Sequence, residues 1–300
     1  MQYFVKRRIQ ITAKDSGGYW QFLTTVLRNS AYFYLQRSVK VSKSNASVAM
    51  RQDWNKRARK DAFYYVATWR QDWTVETFLE SGEEEYRKLV HPVLNDRQFV
   101  PKGLSMLEVG CGAGRMTASF ARRFASVYAL DISDEMQNLA KQHLAGFSNI
   151  HWVLGDGMNL SAIPSESVDF VFSYLVLQHL PADDLALKNV KEMLRVLKHG
   201  GMLLFQFNSA KHPTMNWKGR LAWGTVDTLW ALNLMQVSRA VARRLGFDPE
   251  TVGKNWRGAP LDVGKVVEAV REGGGSSVLI TGEGTPMTWC RGVKLPGPTL

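Results

Sequence analysis

Three glycines at alternate positions, Gly110, Gly112 and Gly114, sit in the stretch "LEVGCGAGRM", just after the short apolar run of residues 104–109. A glycine inside a strand or helix costs roughly 0.5–1 kcal/mol relative to alanine, so such a cluster marks a backbone that turns sharply or lets something approach closely. The run before it has the length and apolarity of a buried parallel strand. The run after it places Met116, Phe120 and Phe124 on one helical face. Strand, glycine loop and helix together aim backbone N–H groups and a helix N-terminus at a ligand, as nucleotide-type sites do. Two carboxylates accompany the loop: Glu108, two residues before the first glycine, and Asp131, 21 residues after it. An acid at the carboxyl end of the second strand can accept hydrogen bonds from both hydroxyls of a ribose. Asp131 is not needed as a helix cap, because Ser133 and Asp134 stand ready for that. His179, after the fourth expected strand, has the residue type of a general base. Cys111 has no neighbour that would activate a thiolate, and its place in the loop suits a small residue rather than a nucleophile.

The elements that must position these groups alternate regularly. "SMLEV", "SVYALDI", "IHWVLGD", "VDFVFSYLVL" and "GMLLFQFN" read as strands, with "RMTASFARRF", "DEMQNLAKQHL" and "DLALKNVKEMLRVLK" as helices among them. Strands separated by helices of this length make βαβ units and a parallel sheet covered on both faces. His199-Gly200-Gly201 is the expected stop of the last of these helices. "DVGKVVEAVREG", "SVLITG" and "MTWCRGVK" close the chain as a helix and two strands, an antiparallel hairpin at the sheet edge. The expected fold is therefore α/β, a Rossmann-like, doubly wound, mostly parallel seven-stranded sheet with an antiparallel edge strand. Upstream, Trp54, Ala58, Ala62, Tyr65 and Trp69 recur at helical spacing, and a second helix is expected around "GEEEYRKLVHPVL". Regularity fails between Ser209 and Pro260, a helical insertion carrying Trp217, Trp223, Trp230 and Trp256.

Composition narrows the class. With 300 residues and 45% hydrophobic content the chain can bury one large core. It has no run of 18 apolar residues and no signal-peptide pattern, and its two cysteines make neither a disulfide framework nor a metal spacing. A reduced, cytoplasmic protein is the expectation. Of the net charge of +11, about +7 belongs to residues 1–46, which hold eight Lys or Arg and one acid. The excess sits in one arm, so the high pI says little for nucleic acid. That arm bears aromatic residues between Tyr19 and Leu35. It suits peripheral contact with a membrane surface, a helix packed on the body, or a loosely held tail. The expected division is a basic arm, 1–46, and a main domain, 47–300, with N-terminal helices at 47–100 and a lid-like insertion at 209–260.

A dinucleotide site wants G-x-G-x-x-G, and Arg115 stands where the last glycine should be. The spacing G-x-G-x-G behind Glu108 resembles the class I S-adenosylmethionine-dependent methyltransferases. The resemblance spans about Trp54 to Lys294 and includes Asp131, Asp156 in "LGDGM", and the stretches "DFVFSYLVLQHL" and "EMLRVLKHGGMLLF". It implies S-adenosyl-L-methionine as cofactor. The glycine loop (Gly110, Cys111, Gly112, Gly114) would face it, with Glu108 at the ammonium end and Asp131, Ile132 and Met136 about the ribose. Asp156, Gly157 and Met158 would lie by the adenine, and Ser173, Tyr174 and Gln178 would line the methionine end. His179 is the candidate catalytic base or a supporting residue, since a base is needed only where the nucleophile must lose a proton. No metal is expected. "SYLVLQ" differs from the Asn/Asp-Pro-Pro-Tyr/Phe type associated with amide or exocyclic amine methylation, which points away from DNA adenine and glutamine side chains. The tryptophan-rich insertion favours a small-molecule or lipid-like acceptor. The alternative is a non-catalytic protein of this fold that binds a partner or RNA, against which the intact acids and glycines speak.

Overall fold

The computed structural model describes residues 43–67, 70, 72–210 and 260–296, with isolated helical positions at 225, 229, 237, 240, 241 and 244. The N-terminal arm to residue 42, Trp69 and most of the insertion, including Trp217, Trp223, Trp230 and Trp256, lie outside the described residues.

Seven strands, β1 (Ser105–Val109), β2 (Ser126–Asp131), β3 (Ile150–Leu154), β4 (Val168–Ser173), β5 (Leu197–Phe207), β6 (Gly275–Thr281) and β7 (Thr288–Lys294), form one sheet in the order β3-β2-β1-β4-β5-β7-β6. The first five pair in parallel, and β7 lies antiparallel between β5 and β6. The strand order reverses between β1 and β4, which opens a crevice at their carboxyl ends. The central strands are buried on both faces, as their near-continuous apolar runs require: Met106 and Leu107, and Phe170, Val171 and Phe172, are at most 1% exposed.

Helices α1 (Lys43–Val66), α2 (Val75–Glu85), α3 (His91–Asp96), α4 (Thr117–Ala121), α5 (Asp134–His143), α6 (Asp183–Val196) and α7 (Val263–Glu272) surround the sheet. Helix α1 breaks at Asp61, whose backbone is extended (φ −170°) and whose carboxylate accepts the Tyr64 N–H at 3.0 Å, restarting the helix in the manner of an N-cap. Ala58, Ala62 and Tyr65, spaced for one face, are all buried. Helix α2 starts earlier than "GEEEYRKLVHPVL" suggests, because Thr74 and Thr77 form a capping box. It presses so closely on the glycine loop that a Cβ at Gly82 would lie 1.9 Å from the Arg115 carbonyl oxygen. Glu83 at its end accepts from Arg123 (2.6 Å) and Ser119 (2.8 Å), and these partners hold its carboxyl down at about 2.

Two local boundaries differ from the sequence reading. The helical turn after the glycine loop is short, 117–121, although Met116, Phe120 and Phe124 do share one buried cluster. Helix α6 ends at Val196 rather than at His199-Gly200-Gly201, and β5 begins at once. Lys198 donates to Asp169 at 2.9 Å, and the β4–β5 register passes from Val168↔Leu197 to Phe170↔Met202 through an irregularity. Among the described residues no helix is long and apolar enough to cross a membrane.

Candidate active site

The glycine loop leaves β1 through three left-handed residues, Gly110 (φ +81°), Gly112 (φ +53°) and Gly114 (φ +86°), conformations glycine adopts without strain. Close packing adds a second demand at Gly110: a Cβ there would stand 2.1 Å from Val176 Cγ2. The Gly110 and Cys111 N–H groups donate to the Leu130 carbonyl at 2.7 and 3.0 Å, which pins the loop to the end of β2.

Asp131 closes that strand. Its carboxylate accepts the Gly112 N–H at 2.7 Å and the Ser133 N–H at 2.8 Å, while Ser133 caps α5 through Met136 N–H. Burial raises the Asp131 pKa above the ordinary carboxylate value, opposed by the Ser133, Gly112 and Ile132 amides. Glu108 is buried nearby and accepts a 2.6 Å hydrogen bond from Thr117 Oγ1. Burial pushes its pKa up to about 8, against the pull of the Thr117 hydroxyl and Arg115, while Asp131 adds to the rise. Two buried carboxylates with raised pKa values in one crevice mark a candidate functional site. Burial likewise raises the Cys111 thiol, so it is no ready nucleophile.

These groups face one cavity of about 310 Å³, at the lower end of the range for small-molecule sites. Of the expected residues, Glu108, Gly110, Cys111, Gly112, Asp131, Ile132, Met136, Gly157, Tyr174, Gln178 and His179 line it. Four stand back. Gly114 packs under α5, where a Cβ would lie 3.0 Å from Leu144. Asp156 folds the turn after β3, accepting the Met158 and Asn159 N–H groups at 2.7 and 3.1 Å, and Met158 packs against the apolar core. Ser173 donates to the Val109 carbonyl at 3.2 Å, between β4 and β1.

Helix α1 supplies part of the wall: Trp54 and Tyr65, which the sequence places on one helical face, and Met50 and Val66, which it does not single out, line the cavity. The helix is tied across the strand ends by Ser47 Oγ to Asp156 O (2.6 Å), Arg51 to Gly155 O (2.8 Å), and Asn55 to Asp134 (2.7 Å). Trp54 meets the His179 ring edge-on at 5.3 Å, and the Arg57 guanidinium lies 5.6 and 5.1 Å from the Trp54 and Tyr65 rings. Arg115, noted in the sequence only for breaking a dinucleotide motif, is the single Lys or Arg among the described lining residues. It is 3% exposed, with Glu85 at 3.6 Å and the Tyr174 ring at 5.9 Å. Burial and the neighbouring Glu85 raise the Tyr174 phenol pKa. No group of three His, Cys, Asp or Glu that could hold a metal occurs among the described residues.

A family model described as a methyltransferase domain matches residues 107–205, from β1 into β5. With the sheet order and the glycine loop, this makes the segment a class I, S-adenosylmethionine-dependent methyltransferase domain. Curated relatives match part of the chain. A bifunctional biotin-biosynthesis protein of Cellvibrio japonicus is 37% identical over 138 residues, covering 46% of this chain and 25% of that protein. A demethylmenaquinone methyltransferase of Staphylococcus epidermidis is 37% identical over 122 residues, covering 40% and 47%. The chain thus spans less than half the length of these curated relatives. The same fold occurs in a magnesium protoporphyrin IX methyltransferase of Synechocystis solved with S-adenosylmethionine (TM-score 0.52, 16% identity), covering 86% of this chain and all of that one.

Proposed function

We propose that the chain transfers a methyl group from S-adenosyl-L-methionine to a small-molecule or lipid-like acceptor. One observation carries this reading: the glycine loop, the two buried carboxylates and the turn after β4 converge on a single cavity at the carboxyl ends of the parallel strands. The donor set suits the cofactor. Asp131 offers carboxylate lone pairs to two hydroxyls, and Glu108 and Arg115 offer opposite charges to the two ends of an α-amino acid. Gly157, with φ +71° and a Cβ position 2.5 Å from Met50, lets α1 close over the adenine side.

When bound, the cofactor supplies a methyl group already activated on a sulfonium, open to in-line attack. The chain binds and orients. Tyr174, Trp54 and Tyr65 offer aromatic walls to an acceptor, and alignment of two reactants is worth on the order of 7–11 kcal/mol in favourable cases. His179 takes a proton from the acceptor when its nucleophile carries one. The 37% identical demethylmenaquinone methyltransferase supports a partly apolar small molecule as acceptor. The ends of the tryptophan-rich insertion meet where Leu261 N–H donates to Asn208 O at 2.8 Å, at the carboxyl end of β5, a placement that suits a lid. The arm of residues 1–46 is proposed as a peripheral membrane contact on its basic, aromatic composition.

The test is calorimetry of the full chain with S-adenosylhomocysteine, with NADH as competitor, followed by an acceptor screen read out as homocysteine. Binding of S-adenosylhomocysteine that NADH does not displace supports the reading. Absence of binding by folded protein sinks it.

A further inference from the structure

Leu175 carries φ +59° in the turn that leaves β4, and it lines the cavity with Tyr174, Val176 and Gln178. Leucine has no intrinsic reason to be left-handed, so the surroundings must hold it there. On one side Val176 fills the space that Gly110 leaves by lacking a Cβ. On the other, the Leu175 N–H donates to Gln206 Oε1 at 3.0 Å. Gln206 is fully buried near the carboxyl end of β5, between Phe205 and Phe207, and is not among the lining residues.

Its amide orientation follows from its partners. The Leu175 N–H can only donate and the Pro286 carbonyl can only accept, so Oε1 faces Leu175 and Nε2 donates to Pro286 O at 2.6 Å. The second proton of Nε2 reaches Gln178 Oε1 at 3.3 Å, a long contact, which leaves the Gln178 amide nitrogen toward His179 Nε2 at 3.4 Å. Tyr174, at the start of the same turn, is backed by Trp289 of β7, with ring centroids 5.2 Å apart. One buried amide therefore joins three segments: the strained turn, Gln178, and the turn between β6 and β7.

We propose that Gln206 is a positioning residue of this site. From the sheet interior it holds the turn of residues 173–176 in the conformation that presents Tyr174, Val176 and Gln178 to the ligand. This rests on the reading of the cavity as the cofactor site, and wild-type binding of S-adenosylhomocysteine tests that reading separately.

The experiment measures S-adenosylhomocysteine affinity and thermal melting of the full chain. Gln206→Leu should weaken binding by about tenfold, because the left-handed turn loses its acceptor. Adding Leu175→Gly, which adopts positive φ freely, should restore affinity in the Gln206→Leu background to within about threefold of wild type. A merely structural role would not be rescued by a glycine in the turn. Gln206→Glu, protonated in its buried site, still accepts from Leu175 and donates to Pro286 but has no proton for Gln178. It should weaken binding by no more than about threefold and shift the His179 ring ¹⁵N resonances, and it carries the test should Gln206→Leu fail to fold. The proposal is overturned by unchanged affinity in a folded Gln206→Leu, by failure of Leu175→Gly to rescue it, or by a loss of about tenfold in a folded Gln206→Glu. Unmoved His179 resonances in Gln206→Glu would remove the link to Gln178.

Discussion

The two ends of the parallel strands treat their carboxylates in opposite ways. At the carboxyl ends, Glu108 and Asp131 are buried and both have raised pKa values. At the amino ends, burial also pushes Asp169 up, but the Ser105 N–H and hydroxyl and the Lys198 ammonium outweigh it and hold the group below its ordinary value. Glu166 is likewise lowered, chiefly by Lys294, with His199 Nε2 at 3.0 Å. The difference separates scaffold from site. Acids at the lower edge have every partner they need within the chain, whereas those at the upper edge face a cavity that holds Arg115 and backbone N–H groups. On the proposed reading, the lower acids are satisfied by folding and the upper ones complete their contacts with a ligand.

The strongest way to break this contrast is a pair of deletions. Asp131→Ala should weaken S-adenosylhomocysteine binding at least about tenfold, since hydrogen bonds to a charged acceptor are worth about 1.5–3 kcal/mol. Asp169→Ala should instead lower stability by about 1–3 kcal/mol and leave affinity per folded molecule unchanged, because the Ser105 N–H loses its acceptor far from the cavity. Calorimetry paired with denaturant unfolding reads both, and equal losses of affinity in the two variants would erase the distinction. Arg115→Met sharpens the upper edge itself. It should cost about tenfold in affinity for S-adenosylhomocysteine but little for methylthioadenosine, which lacks the amino-acid end. Equal losses for the two ligands would remove Arg115 from the methionine end.

A third outcome concerns pH, and the signs differ between the edges. Glu108 is raised from 4.5 to about 8, so the folded unliganded protein binds the extra proton and this group's contribution to stability falls as pH rises from about 4.5 to 8. Asp169 is lowered from 3.8, so its contribution is present above that value and is lost as pH falls through the folded pKa. An ammonium at Glu108 favours the carboxylate, so ligand binding near neutral pH should release a proton. The heat of binding should then depend on the ionisation enthalpy of the buffer, and Glu108→Gln should abolish that dependence. A buffer-independent heat in the wild type would mean the carboxylate is not the ammonium's partner.

Smaller effects are expected outside both edges. Substituting Trp223 and Trp230 of the insertion should lower methyl transfer while sparing cofactor affinity if the segment is a lid, and turnover that survives both changes would end that idea. Deleting residues 1–46 should change S-adenosylhomocysteine affinity by no more than about twofold, because the described lining residues begin at Met50. Extending the deletion through Arg51 removes the contacts of Ser47, Met50 and Arg51 with the turn after β3 and should weaken binding measurably. Identical affinities for the two truncations would show that α1 does not close the site.

Much of the upper edge was legible in the chain because its signals are local. Alternate glycines after an apolar strand, and an acid at the end of the next, are chemical necessities of that turn. Gly110, Gly112 and Asp131 therefore announced their places by type and spacing. The mostly parallel sheet and the closing hairpin followed from the alternation of strands and helices and from the two strands that end the chain, whereas the strand order became visible only in the fold. Only the tertiary structure decided what stands opposite that loop. Trp54 and Tyr65 read as one helical face, and nothing within the helix says that this face covers a cavity rather than a core. Arg115 read as a departure from a motif until α2, Tyr174 and Glu108 closed around it. Gln206 lay silent in an apolar strand, because its meaning depends on Leu175 and Pro286, which are 31 and 80 residues away. Periodicity records which side of an element is apolar. Which distant group that side meets depends on long-range packing, and there one buried amide can govern the conformation of a turn on another strand.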